Sequence, residues 1–313
     1  MWIILAVTLA GFIAQLIDGA LGMAFGITST SVLLALAYSP AVASSAVHLA
    51  EIGTSVASGS FHLRFGNVDK RALLTVGIPG SIGALIGALL LSNIDLGAAR
   101  PFTSTILLGL GVVLLVRFSR TTILGVLRRA RARWLIPLGL VGGVVDATGG
   151  GGWGPIVTTS LTASKALEPR RAIGTANTAE VFVSVSASVG FLIGLGSSQI
   201  PWIVVGALLV GGLAAAPIAA HLVRRAPQRV LGLLTGTLIV VLNVRQLLVS
   251  AQSPLPLVLA GTCAALALCA IPVAIGVRLH LRQLRSSVQS SGPTEQLRLR
   301  ESTIRDDHQQ LSD

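Results

Sequence analysis

The 313-residue chain is 52% hydrophobic and only 11% charged, with a mean hydropathy of +0.81. A soluble domain carries about 25% charged residues, so this composition excludes an ordinary soluble enzyme. The net charge of +11 does not signal nucleic acid either, because its Lys and Arg fall in short clusters between apolar runs, which is how membrane proteins encode orientation.

Eleven apolar segments follow in chain order, at about 2–17, 20–38, 41–61, 72–91, 102–117, 134–147, 151–164, 172–195, 202–223, 229–249 and 255–277. Most approach the roughly 20 residues that cross a bilayer. Met1-Trp2-Ile3-Ile4 lacks the positive start of a cleavable signal peptide and reads as the beginning of the first membrane segment. The chain divides into a first transmembrane repeat at 1–117, a basic linker at 118–133, a second repeat at 134–250, an additional helix at 251–280 and a polar tail at 281–313. The linker carries Arg120, Arg128, Arg129, Arg131 and Arg133. The tail has little to bury and is expected to be disordered. Cys263 and Cys269 sit in the last apolar run and read as inert.

The two repeats correspond residue by residue. A shift of 128 lays Gly11 on Gly139, Asp18 on Asp146, Gly22 on Gly150 and Gly26 on Gly154. A shift of 129 then lays Pro40 on Pro169, Glu51 on Glu180 and Ser55 on Ser184. Loop charges run oppositely in the two copies. Arg64, Lys70 and Arg71 answer to a loop near 195–202 without Lys or Arg, and the uncharged loop at Pro40 answers to Lys165, Arg170 and Arg171. Equivalent loops are therefore expected on opposite sides of the membrane. The predicted fold is an all-α polytopic membrane protein of two inverted repeats, about five segments each, plus one extra C-terminal helix. The first two segments of each repeat are full spans, a re-entrant pair or one broken span, the last disfavoured because it would put Lys165, Arg170 and Arg171 outside. The N-terminus is expected outside, with the linker and C-terminal tail in the cytoplasm.

Four of the twelve acids, Asp18, Glu51, Asp146 and Glu180, fall inside apolar segments or at their edges and form two repeat-related pairs. A carboxylate at membrane depth is expensive unless neutralised, paired or wet, and it usually marks a pathway. Asp18 and Asp146 precede glycines and can cap the next helix; Glu51 and Glu180 lie within helices. His48, three residues before Glu51, shares its helix face, and Asn177 stands at the equivalent place. Imidazole ionises near neutral pH, so a His48–Glu51 pair is a candidate for proton coupling, the alternative being a structural histidine. These five residues, Glu51, Glu180, His48, Asp18 and Asp146, form the candidate proton-coupling set.

The glycine runs form the second set. Gly19, Gly22 and Gly26 follow Asp18, and Gly149 to Gly152 with Gly154 follow Asp146. Each glycine weakens a helix by about 1 kcal/mol relative to alanine, so the backbone should break there, which at membrane depth is tolerated in a protein-lined or wet cavity. A half-helix starting at such a break aims N–H groups at an anion. The candidate binding residues are Gly19, Gly22, Gly26, Thr28, Thr30, Gly150, Gly151, Gly152, Gly154, Thr158 and Asn177; close helix packing is the alternative account of the glycines. Arg117 and Arg245 end the fifth segments and read as cations snorkelling to the interface.

Residues 17–69, IDGALGMAFGITSTSVLLALAYSPAVASSAVHLAEIGTSVASGSFHLRFGNVD, resemble the first-half signature of the TauE/SafE sulfite exporter family. Residues 145–191, VDATGGGGWGPIVTTSLTASKALEPRRAIGTANTAEVFVSVSASVGF, resemble its second half. The resemblance spans roughly residues 5–250 and implies a bacterial cytoplasmic-membrane transporter of sulfite, organosulfonates or related small anions. A secondary transporter working by alternating access, coupled to protons, is the expected function; an anion channel or a non-transporting scaffold are the alternatives. The expected partners are a small anionic substrate, a coupling proton and the lipid bilayer, with self-association allowed and nucleic acid excluded. No catalysis, cofactor or metal is expected.

Overall fold

The computed structural model describes residues 2–119, 132–164, 166–222 and 228–290. The linker over 120–131, Lys165, Arg224, Arg225 and the tail beyond 290 lie outside the described residues. Before the linker come α1 (Trp2–Leu21), α2 (Phe25–Ala35), α3 (Pro40–Arg64), α4 (Lys70–Asn93) and α5 (Leu96–Ser119). After it come α6 (Ala132–Gly149), a π-helical turn (Gly154–Thr158), α7 (Thr159–Ala163), α8 (Pro169–Leu195), α9 (Trp202–Leu222), α10 (Gln228–Ser250) and α11 (Leu255–Ser290). The described residues are helical with no strand.

Among the described residues, seven helices, α1, α4, α5, α8, α9, α10 and α11, are long and apolar enough to cross a membrane. The 25-residue α3 is long enough but too polar, because Ser44, Ser45, His48, Glu51, Thr54 and Ser55 all lie on it. All six are buried, so their polar atoms face protein instead of lipid. α3 and α8 both begin on a proline, Pro40 and Pro169, at the first helical position, where a missing N–H costs nothing.

The segments expected at 20–38 and 151–164 are not full spans. α2 has 11 residues, about 16 Å of helix, and its counterpart is a five-residue π turn followed by the five residues of α7. The apolar text between 20 and 24 is spent on a break: Gly22 has φ +66° and Ala24 has φ +131°. At the far end, α11 runs on to Ser290, past residue 280, where the additional helix was expected to end. An established helix propagates through Arg, Leu and Gln at little cost.

Helix starts sort into two ends of the molecule. Ile3, Ile4 and Val7 of α1 line one apolar groove with Tyr38, just before α3, and residues 200–204 at the start of α9. At the other end Asp69 N, preceding α4, donates to Thr175 Oγ1 near the start of α8, at 2.9 Å. α6 lies along α4 in near-backbone contact: a Cβ added to Gly87 would sit 2.7 Å from Val144 O. α1 lies equally close to α9, where a Cβ on Gly11 would sit 2.7 Å from Leu208 O.

Two main apolar cores result. One joins Val7 and Ala14 of α1 with Ile27 of α2, Val47 of α3, Leu107 and Leu114 of α5 and Leu208 of α9. The other joins Val76 and Ala88 of α4 with Ala147 of α6, Trp153 and Val183 and Phe191 of α8. Each core mixes helices from both sides of the linker. α3 contributes to the first core and α8 to the second, and the two helices, which carry many of the buried polar residues, pack on each other.

Candidate functional site

The two glycine breaks meet back to back. A Cβ added to Gly26 would lie 2.6 Å from Gly151 Cα and 2.7 Å from Glu51 Oε1. A Cβ on Gly154 would lie 2.5 Å from Met23 Cβ. Only glycine permits this approach, and Gly150 and Gly151 also adopt φ +66° and +138°, which side chains disfavour. Gly22, φ +66°, stands in register with Gly150.

Each break is organised by its aspartate in the same way. Asp18 Oδ1 accepts from Phe25 N at 3.4 Å, seven residues on. Asp146 Oδ1 accepts from Trp153 N at 2.9 Å, also seven residues on. The carboxylates thus hold the first N–H of the half-helix beyond the break, the cap expected from sequence. The carbonyls that end α6 are covered by hydroxyls from three other helices. Ser44 Oγ donates to Ala147 O at 2.7 Å, Thr103 Oγ1 to Thr148 O at 2.9 Å, and Thr30 Oγ1 to Gly150 O. A helix end at membrane depth needs such partners.

His48 does not pair with Glu51. Its Nε2 lies 3.1 Å from Asp146 Oδ2, and its Nδ1 lies 2.8 Å from Ser44 O. Both residues are essentially inaccessible, at 0% and 1% exposure. The Ser44 carbonyl only accepts, so Nδ1 carries a proton and donates it. A hydrogen bond between Nε2 and Oδ2 then needs one further proton between the two atoms. The imidazole is taken instead by Asp146, in the last turn of α6 next to the break. Phe191 packs near the imidazole, ring centroids 5.9 Å apart.

The other acids sit along the α3–α8 contact. Glu51 is 3% exposed, and its Oε2 has no hydrogen-bond partner among the described residues. Ser55, one turn further along α3, donates to Glu180 Oε2 at 3.3 Å. Thr28 and Thr158 are buried with Oγ1 unpartnered among the described residues. Two of the expected binding residues lie apart from this centre. Gly19 abuts Ala219 of α9, and Asn177 donates to Ser58 Oγ at 3.2 Å, further along α3. Gly152 faces Leu110 and Val145.

Trp153 is a site residue that the sequence reading passes over. It is fully buried at the start of the π turn, and its Nε1 donates to Ala176 O of α8 at 2.9 Å. Its signal was an indole set alone in GGGGWG, where every neighbour is too small to fill space.

A family model described as "Sulfite exporter TauE/SafE" matches residues 7–245. The chain is 47% identical over 241 residues to "Probable membrane transporter protein YtnM" of Bacillus subtilis (strain 168), covering 76% of this chain and 80% of that one. It is 27% identical over 237 residues to "Probable membrane transporter protein YdhB" of the same organism, covering 74% and 93% respectively. No solved structure matches.

Proposed function

This chain belongs to the TauE/SafE sulfite exporter family, and from that premise we propose that it is a secondary transporter of sulfite, an organosulfonate or a related small anion, working by alternating access with proton coupling. One observation carries the reading. Two repeat-related glycine breaks meet at the centre, each opening a half-helix, beside a buried carboxyl with an unpartnered oxygen. Half-helix starts present N–H groups and a positive dipole end to an anion. Gly26, Gly151, Thr28 and Thr158 would form the binding centre, and Glu51, Glu180 and the His48–Asp146 pair would carry the proton. A proton travelling with the anion reduces the charge that must cross the low-dielectric interior.

The repeats are read as inverted. Supporting this, α1 and α3 start at the end of the molecule shared with α9, whereas their counterparts α6 and α8 start at the end shared with α4. The loop charges point the same way. Reporter fusions in the linker should report the cytoplasm and fusions at 196–201 the outside; both on one face would sink the inverted topology.

The transport reading is tested with purified protein in proteoliposomes. Outward sulfite or sulfoacetate gradients should drive saturable flux, with protons moving in the same direction. An absence of flux for sulfite, sulfoacetate, taurine, thiosulfate and sulfate would remove the substrate class. Unsaturable flux without countertransport would make the protein a channel.

A further inference from the structure

We propose that Arg117 is the residue that grips the oxyanion at the linker end of the pathway, an inference that rests on the small-anion reading above. Arg117 lies in the last turn of α5, where the sequence alone suggests a snorkelling cation. In the fold it points inward. One Nη1 donates to Thr159 Oγ1, where the π turn passes into α7, and lies 3.2 Å from Met23 Sδ, between Gly22 and Ala24. One guanidinium therefore touches both broken segments, one from each repeat.

Its surroundings leave it equipped for a ligand. The one ion pair among the described residues is His48–Asp146, so Arg117 meets no carboxylate there. A thioether is a weak acceptor, and Nε and Nη2 make no hydrogen bond among the described residues. Phe118 flanks the guanidinium, with Cζ 5.4 Å from the ring centroid. A planar cation with free parallel donors matches the two-oxygen edge of a sulfite or sulfonate group.

The second repeat lacks this device. Thr159 corresponds to Ser31 at a shift of 128. Ser31 Oγ receives its hydrogen bond from the neutral Asn243 Nδ2 of α10 at 2.9 Å. Arg245, which aligns with Arg117 when VVLLVR at 112–117 is laid on VVLNVR at 240–245, is exposed. Equivalent hydroxyls thus meet a cation on one side and an amide on the other. The cation stands at the end where the linker leaves α5, cytoplasmic in the proposed topology, so anion capture is biased to that side.

The test uses Arg117→Gln, Arg117→Lys and Arg245→Gln in the full chain, with sulfite as probe, reading flux in proteoliposomes, binding to purified protein and thermal stability. Arg117→Gln and Arg117→Lys should each raise KM and Kd for sulfite roughly tenfold or more, since lysine keeps the charge but loses the fork. Arg245→Gln should match the parent. If Arg117→Gln does not fold, Arg117→Lys alone decides. Unchanged Kd in the folded Arg117 variants, or a fall in maximal rate at unchanged KM, assigns Arg117 to the scaffold and overturns the proposal. A parent protein that binds and moves neither sulfite nor sulfonate is a different result, and removes the substrate class itself.

Discussion

Asp146→Ala is expected to cost about 3–5 kcal/mol of stability, while Asp146→Asn stays within about 1 kcal/mol of the parent and still loses proton-driven transport. The alanine variant strands two buried donors or acceptors at once, Trp153 N and His48 Nε2. Asparagine avoids both losses. Its Oδ1 still accepts from Trp153 N, and its Nδ2 can donate to the Nε2 of a His48 whose proton stays on Nδ1 for Ser44 O. What asparagine cannot do is hold or release the proton shared with His48. Thermal unfolding separates the two variants, and sulfite-coupled proton flux tests the asparagine form. A stable Asp146→Ala protein would contradict the cap, and parental proton coupling in Asp146→Asn would clear this pair of the role.

Gly151→Ala should strongly destabilise the protein, because it meets both a steric clash and a conformational penalty. The residue sits at φ +138°, and its Cβ would lie 2.5 Å from Gly26 Cα, a backbone atom that cannot swing aside. Overpacking of 1–3 kcal/mol adds to about 1–3 kcal/mol of conformational strain, and the two breaks are pushed apart. Gly66→Ala supplies the comparison. Its φ is +66° with nothing within 4 Å of an added Cβ, so strain of about 1 kcal/mol is all it meets. Melting temperatures of the two variants decide: equal values would show that the breaks are not in the contact described.

Much of this centre was legible in the sequence, because the acid and glycine motifs occur twice and agreement between the two occurrences filters accident. Asp18 and Asp146, with Phe25 and Trp153 each seven residues on, show how a doubled acid before doubled glycines announces a capped break. Local spacing misled where the deciding partner was distant. His48 reads as a partner of Glu51 because both share a helix face, yet its hydrogen bond is to Asp146, 98 residues away. α2 read as longer than it is because Leu36, Ala37 and Tyr38 continue the apolar text after the helix has ended at Ala35. Arg117 shows the same limit: a cation at a helix end looks alike whether it turns outward or in.

The apolar cores have a consequence for how the molecule is divided. Each brings together helices encoded on both sides of the linker: α1 lies on α9 and α6 on α4, with glycines leaving no room for a sliding layer of side chains. The stretch on either side of the linker is therefore not a module. Neither can complete its own interior, and a cut drawn at the linker would pass through both interiors. Any rigid piece of this molecule is assembled from both sides of the linker, like the interlaced fingers of clasped hands.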